Sequence, residues 1–183
     1  FIELRRGIDD RSPSTSTGSG HTFRDNTFIR CHDYALLCQA DDATAEHNIF
    51  RSIGMEPEAL RLAPSYGGSI FGTYGCAAFQ GHGYTVRDNL IDQVGNAGLS
   101  LNGQGVVEHN AITRTLQTLN DAGAIQIDYC DGLILRSNII TGVGDAAASL
   151  ETTSIEYENY GAIFYGIYFG DHYIVNTRVD GNT

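Results

Sequence analysis

Residues 84–95 read YTVRDNLIDQVG, and residues 105–115 read GVVEHNAITRT. In each, a strand-like segment ends on a charged residue, a polar residue and Asn, and a short apolar segment follows. The same arrangement stands in HTFRDNTFIRC around Asn26, TAEHNIFRSIG around Asn48 and LILRSNIITGVG around Asn138. Weaker copies put Ser69 at the Asn position in GGSIFG and Asn176 there in YIVNTRV. Positions 26, 48, 69, 89, 110, 138 and 176 are separated by 22, 21, 20, 21, 28 and 38 residues, so four of six steps fall within 20 to 22. Five clear copies at near-fixed spacing define a structural repeat.

A second element follows each Asn: YALLC at 34–38, AAF at 77–79, AGLSL at 97–101, GAIQI at 123–127 and GIYF at 166–169. These alternate apolar with polar or small residues, which is strand periodicity. No window sustains a helical period, and the best short helix candidate lies at 56–62. Two or three short strands in a period of about 21 describe one coil of a parallel β-helix. The fold class expected is therefore all-β, a solenoid of about seven coils in one domain over 1–183. A leucine-rich repeat has a similar period, but its L-x-x-L-x-L-x-x-N pattern is not met. The repeat Asn tolerates the left-handed backbone of a sharp turn. Its amide can also bond to the Asn of the next coil, forming a ladder along the stack. In this register Phe28, Phe50, Ile91, Ile112 and Ile140 fill the interior.

Composition agrees. The 183 residues include 22 Gly and only 3 Pro, as expected for many tight turns between short strands. Eleven basic residues, all Arg, stand against 22 acidic ones, for a net charge of −11. Such a chain has no field to attract nucleic acid, and it repels polyuronates unless a metal or an Arg cluster compensates. With no Lys, lysine-based catalysis is excluded. No apolar run approaches the ~20 residues of a membrane-spanning helix, so no membrane insertion is expected. Cys31, Cys38, Cys76 and Cys130 have no zinc-site spacing and read as buried thiols, a Cys31–Cys38 bridge being the alternative.

The motif R/E-x-N-x-I/F followed by a G-h-x-h strand resembles the right-handed parallel β-helix repeat proteins of the pectate-lyase-like superfamily, over roughly residues 21–180. The segment GIYFGDHYIVNTRVDGNT at 166–183 is similar to a recurring coil of that group, with Gly170 where a first Asp often stands and Asp171 matching the second. The resemblance implies a right-handed solenoid. Its members include polysaccharide lyases, glycoside hydrolases, epimerases, tailspikes and surface proteins, so it fixes no single chemistry.

Chemistry is expected where coils depart from regularity. Segments after the repeat Asn lengthen from 90–96 to 111–122 to 139–160, and all leave the same corner. They carry Asp121, Asp145 and Glu151, with Glu156 and Glu158 beside Tyr157 and Tyr160. Glycosidic hydrolysis needs two carboxyl groups ~5–9.5 Å apart, and neighbouring coils lie ~4.8 Å apart. Asp121 with Asp145 or Glu151 is the candidate catalytic pair, the alternative being solvated loop acids or turn caps. At the other corner QGHG, NGQG, DYCDG and GDH place His82, Asn102, Asp128, Tyr129, Asp171 and His172 as a candidate sugar platform, with Asp131 and Tyr168 near it. Ordinary turns are the alternative. No metal site is assigned, although Asp128, Asp131 and Asp171 could bind Ca²⁺ through oxygen. No P-loop, nucleophile-elbow or dinucleotide motif occurs.

The expected function is acid–base cleavage of an extracellular polysaccharide by a glycoside hydrolase or lyase, at the cell surface or outside it. The alternative is a non-catalytic structural or adhesive rod of a fibre, tailspike or surface protein. The stack shows no capping element and stops in mid-repeat at VDGNT. Its apolar ends are thus expected to be covered by more of a longer β-helix or by neighbouring copies, end to end.

Overall fold

A computed structural model describes residues 2–4, 6–10, 19–55, 76–118, 122–144, 164–170 and 173–183. The helix candidate at 56–62 lies outside them. The described strands form six coils. The first is β1 (Arg6–Asp10), β2 (Thr22–Arg24) and β3 (Thr27–Ile29); the second is β4 (Tyr34–Cys38), β5 (Thr44–Glu46) and β6 (Ile49–Ile53). The third is β7 (Ala77–Phe79), β8 (Tyr84–Arg87) and β9 (Leu90–Val94); the fourth is β10 (Leu99–Gly103), β11 (Gly105–Glu108) and β12 (Ala111–Thr115). The fifth is β13 (Ala122–Asp131), β14 (Ile134–Arg136) and β15 (Ile139–Val143), and the last holds β16 (Phe164–Phe169), β17 (Ile174–Val175) and β18 (Arg178–Asp180).

Stacking these coils makes three parallel sheets. Sheet I runs β1-β4-β7-β10-β13-β16, with β17 on the far end of β13; sheet II runs β2-β5-β8-β11-β14-β18; sheet III runs β3-β6-β9-β12-β15. No helix occurs among the described residues. Like residues stack on like because each column repeats one position of the period. Phe28 lies flat on Phe50, centroids 4.9 Å apart and 4° from parallel. Ile91 and Ile112 continue that column as buried residues, and Ile140 packs against them partly exposed. The column Val86, Val107 and Leu135 from sheet II and the column Ala77, Leu99 and Ile125 from sheet I close the core. Burying each larger aliphatic side chain contributes about 1.5–3 kcal/mol.

The corner between sheets II and III is the Asn ladder. The Asn48 Oδ1 accepts from the backbone N–H and the amide of Asn26, at 3.0 and 3.2 Å. The same pair of bonds joins Asn48 to Asn89, Asn89 to Asn110, Asn110 to Asn138 and Asn138 to Asn182. Each inner amide also donates to a backbone oxygen of the preceding coil, as Asn89 does to Ala45 at 3.0 Å. The residue before each ladder Asn has positive φ: Asp25, His47, Asp88, His109, Ser137 and Gly181. Four of these are Asp or His, which tolerate this region at modest cost in a polar turn, one is Ser and one is Gly.

Three expectations need correction. No residue intervenes in the ladder between Asn48 and Asn89, which bond directly as β6 pairs with β9, and Ser69 lies outside the described residues. The 41-residue step is one coil lengthened at the corner from sheet III to sheet I, not two coils. Asn176 is not in the ladder either: it precedes β18 of sheet II and donates to Asp131 Oδ1 at 2.7 Å, while Asn182 takes the ladder place. The described stack accordingly has six coils rather than about seven. All four cysteines are buried and free, with no Cys31–Cys38 bridge.

Candidate functional site

The outward faces of the three sheets differ in what they leave for a ligand. On sheet II one register column reads Arg24, Glu46, Arg87, Glu108, Arg136, Asp180. Glu46, only 1% exposed, accepts from Arg24 Nε at 2.5 Å and from Arg87 Nε at 2.8 Å. Arg136 bonds Glu108 at 2.5 Å. The two guanidiniums beside Glu46 hold its carboxyl below the ordinary range. Sheet III carries a similar knot: Arg114 grips Asp92 with two bonds of 2.8 and 2.7 Å, Thr113 adds one of 2.8 Å, and Arg51 approaches to 3.3 Å. Above all through the Arg114 bonds, Asp92 is pulled down to about 2.

Sheet I is different. Its outward column, between core residues on either side, is Asp9, Leu37, Ala78, Ser100, Gln126 and Tyr168. Two residues on in each strand, just past the register positions Cys38, Phe79, Leu101, Ile127 and Phe169, come Gln39, Gln80, Asn102, Asp128 and Gly170. Towards β1 the face is closed off by a small apolar cluster of Tyr34, Leu37 and Ala78. From β10 to β16 it is polar and aromatic. The Gln39 amide donates to Gln80 Oε1 at 2.8 Å, and Gln126 Nε2 donates to Asp128 Oδ2 at 3.2 Å. With its amide nitrogen turned towards β13, Asn102 donates to the Asp128 carbonyl oxygen at 2.8 Å. Tyr165 and Tyr168 stack their rings at 5.0 Å on the last strand, and Tyr165 is 42% exposed.

Two backbone features shape this face. Between Leu101↔Ile127 and Gly103↔Cys130 the register slips, so Asp128 and Tyr129 together oppose Asn102. This β-bulge turns Tyr129 outward at φ 48° and 58% exposure. Gly170 leaves room for Asp128: a Cβ there would stand 1.9 Å from Asp128 Oδ1 and would displace that carboxylate. The Asp128 carboxylate, on a residue 9% exposed, therefore leans over the end of β16 into space that any larger residue would fill.

Of the expected sugar platform, the structure brings Asn102, Asp128 and Tyr129 together, with Tyr168 beside Gln126 on the next strand. His82 is exposed but lies two positions past Gln80, in the turn to sheet II. There its backbone N–H donates to Asp41 Oδ1 at 2.8 Å and its carbonyl accepts from Asp42 at 2.7 Å. Asp171 and His172 lie outside the described residues, as do the candidate catalytic Asp121, Asp145 and Glu151. What is described is their attachment. Asp121 immediately precedes β13, and the segment holding Asp145 and Glu151 joins β15 to β16, the strand paired to β13. Among the described residues no three His, Cys, Asp or Glu are gathered to hold a metal ion. Asp131 is engaged by Asn176. Burial pushes the Cys38 thiol up to about 11 and the Cys130 thiol to about 12, so neither supplies a thiolate nucleophile.

Sequence reasoning missed Ser100, Gln126, Gln80 and Tyr165. A signal existed: Ser100 and Gln126 are the middle residues of L-S-L and I-Q-I, the one outward-facing place between two core residues. A family model described as a right-handed β-helix region matches residues 14–183. No curated protein and no solved structure is similar enough to match.

Proposed function

The chain belongs to the right-handed β-helix family, and from that premise we propose that it binds a polysaccharide along the outer face of sheet I and cleaves it there by acid–base chemistry outside the cell. The single observation that carries the binding half is the contrast among the three faces. Sheets II and III are lined with ion pairs of Arg with Glu or Asp, whereas sheet I from β10 to β16 carries amides and stacked tyrosines. Amide and hydroxyl groups exchange hydrogen bonds with sugar hydroxyls, and a flat ring packs against the apolar face of a pyranose. A chain of sugars laid across β13 and β16 meets Gln126 and Tyr168 in succession.

Cleavage is assigned to Asp121 with Asp145 or Glu151. Support comes from topology: Asp121 enters β13, and the segment with the other two enters β16, so both lead onto the start of this face in adjacent coils. One carboxylic acid would protonate the leaving oxygen while the other carboxylate activates water or attacks, a division of labour set by their spacing. The test is incubation with a panel of polysaccharides while following new chain ends. Wild type should release product and Asp121→Asn should lose it by at least about a hundredfold while still binding. Binding with no release by wild type would leave the adhesive rod as the function; no binding at all would end the glycan reading.

A further inference from the structure

We infer that the glycan taken by sheet I is uncharged, a neutral polysaccharide and not a polyuronate or sulfated polymer; the inference rests on the glycan-binding reading above and narrows its substrate class. An anionic polymer needs cations at the site, best supplied as bidentate Arg or as Lys. The chain has no Lys, and its formal net charge is −11. Eight of its eleven arginines are among the described residues, and every one of the eight is already ion-paired within the chain. Arg6 meets Asp9 and Asp33; Arg30 meets Glu3; Arg178 meets Asp180; Arg136 meets Glu108. Arg24 and Arg87 share Glu46, and Arg51 and Arg114 share Asp92.

The shared pairs are the ones a ligand could least recruit. Drawing Arg87 or Arg114 away would strip a cation from a carboxylate that is 1% or 7% exposed, and a buried charge deprived of its partner is strongly destabilising. None of these arginines except Arg6 stands on sheet I, and Arg6 lies at its β1 edge against the Tyr34 ring, four strands from β13. Where the face is polar, the charged groups among the described residues are the Asp128 and Asp131 carboxylates of β13, both of the sign that repels a uronate. Gln126, Asn102, Gln80 and Ser100 are neutral donors and acceptors. No described group of carboxylates gathers to hold a bridging cation.

The experiment is affinity electrophoresis of the whole chain through gels containing soluble β-glucan, arabinoxylan or galactomannan, and in parallel polygalacturonate, alginate or a sulfated galactan. Each is run with EDTA at low and high salt. Retardation by at least one neutral polymer, changing less than about twofold with salt, and none by the anionic set is the expected result. Gln126→Ala, checked for native circular dichroism, should weaken that retardation about fivefold. Retardation by any anionic polymer at low salt, relieved at high salt, overturns the neutral class and leaves the glycan reading standing. Retardation by none of the six overturns the glycan reading, and this inference with it.

Discussion

The outer faces of sheets I and II are built on the same backbone, rung for rung, and have opposite uses of polarity. On sheet II, Arg and acidic residues alternate at every step from Arg24 to Asp180, so each of the four inner charges has opposite charges one strand spacing, ~4.8 Å, above and below. Cross-strand pairs of opposite sign favour this register and like pairs disfavour its neighbours, which makes the face a device for holding the stack in line. Sheet I between β10 and β16 carries no such alternation. Its Ser100, Gln126 and Tyr168 are uncharged and add little to the register. A solenoid can divide labour this way because each side of the period is an independent column.

The comparison predicts that substitutions on the ladder and sheet II lower stability, while those on sheet I lower binding. The largest effect should come at the corner sheet II shares with sheet III. Asn89→Ala removes the acceptor of the Asn48 N–H and amide and the donor to Ala45 and Asn110. Leaving several buried groups unpaired costs about 3–5 kcal/mol, read as a lower urea midpoint; a loss under about 1 kcal/mol would mean that the ladder is not what secures the corner.

Next comes the charge column. Arg87→Glu would set three carboxylates in line with Glu46 and Glu108. The urea midpoint should fall and then recover in part as salt is raised, because screening weakens repulsion between partly exposed charges. A drop indifferent to salt would point to lost packing instead. Acid sharpens the same contrast. Asp92 is depressed to about 2 from an ordinary 3.8, so the stability it contributes is fully present above 3.8 and is lost as pH falls through about 2. Glu46 is lowered in the same direction and should lose its contribution below the ordinary carboxylate range. In an acid titration of the unfolding midpoint, Asp92→Asn should flatten the decline between those two pH values. The smallest change in stability should be that of Gln126→Ala on sheet I, within about 0.5 kcal/mol of wild type, even as glycan affinity falls. If instead it unfolds the protein as Asn89→Ala does, the two faces are not functionally separate.

Much of this was legible in the residues. The turn Asn, the strand before it and the apolar pair after it repeat at a fixed interval, and in a solenoid a fixed interval is a fixed place in space. That is why Asn26, Asn48, Asn89, Asn110 and Asn138 fall in one file, and why Phe28, Phe50, Ile91, Ile112 and Ile140 point inward together. The same logic put Asn102 and Asp128 on one face. It failed where intervals vary. Ser69 matches the motif loosely at the expected spacing, yet Asn48 bonds directly to Asn89, and Asn176 matches it at a step of 38 residues and is not in the ladder. The catalytic candidates belong to segments where no repeat exists to locate them.

The all-β solenoid and its asparagine file thus follow from the sequence alone, because period and residue type act locally and recur. Which strand lies on which was decided only by the tertiary structure, because backbone hydrogen bonds between coils set the register irrespective of how many residues a corner has absorbed. That pairing placed Asn138 under Asn182 across a 44-residue step, and it brought Asp128 against Gly170. It also left the outer face of sheet I without a charge ladder of its own.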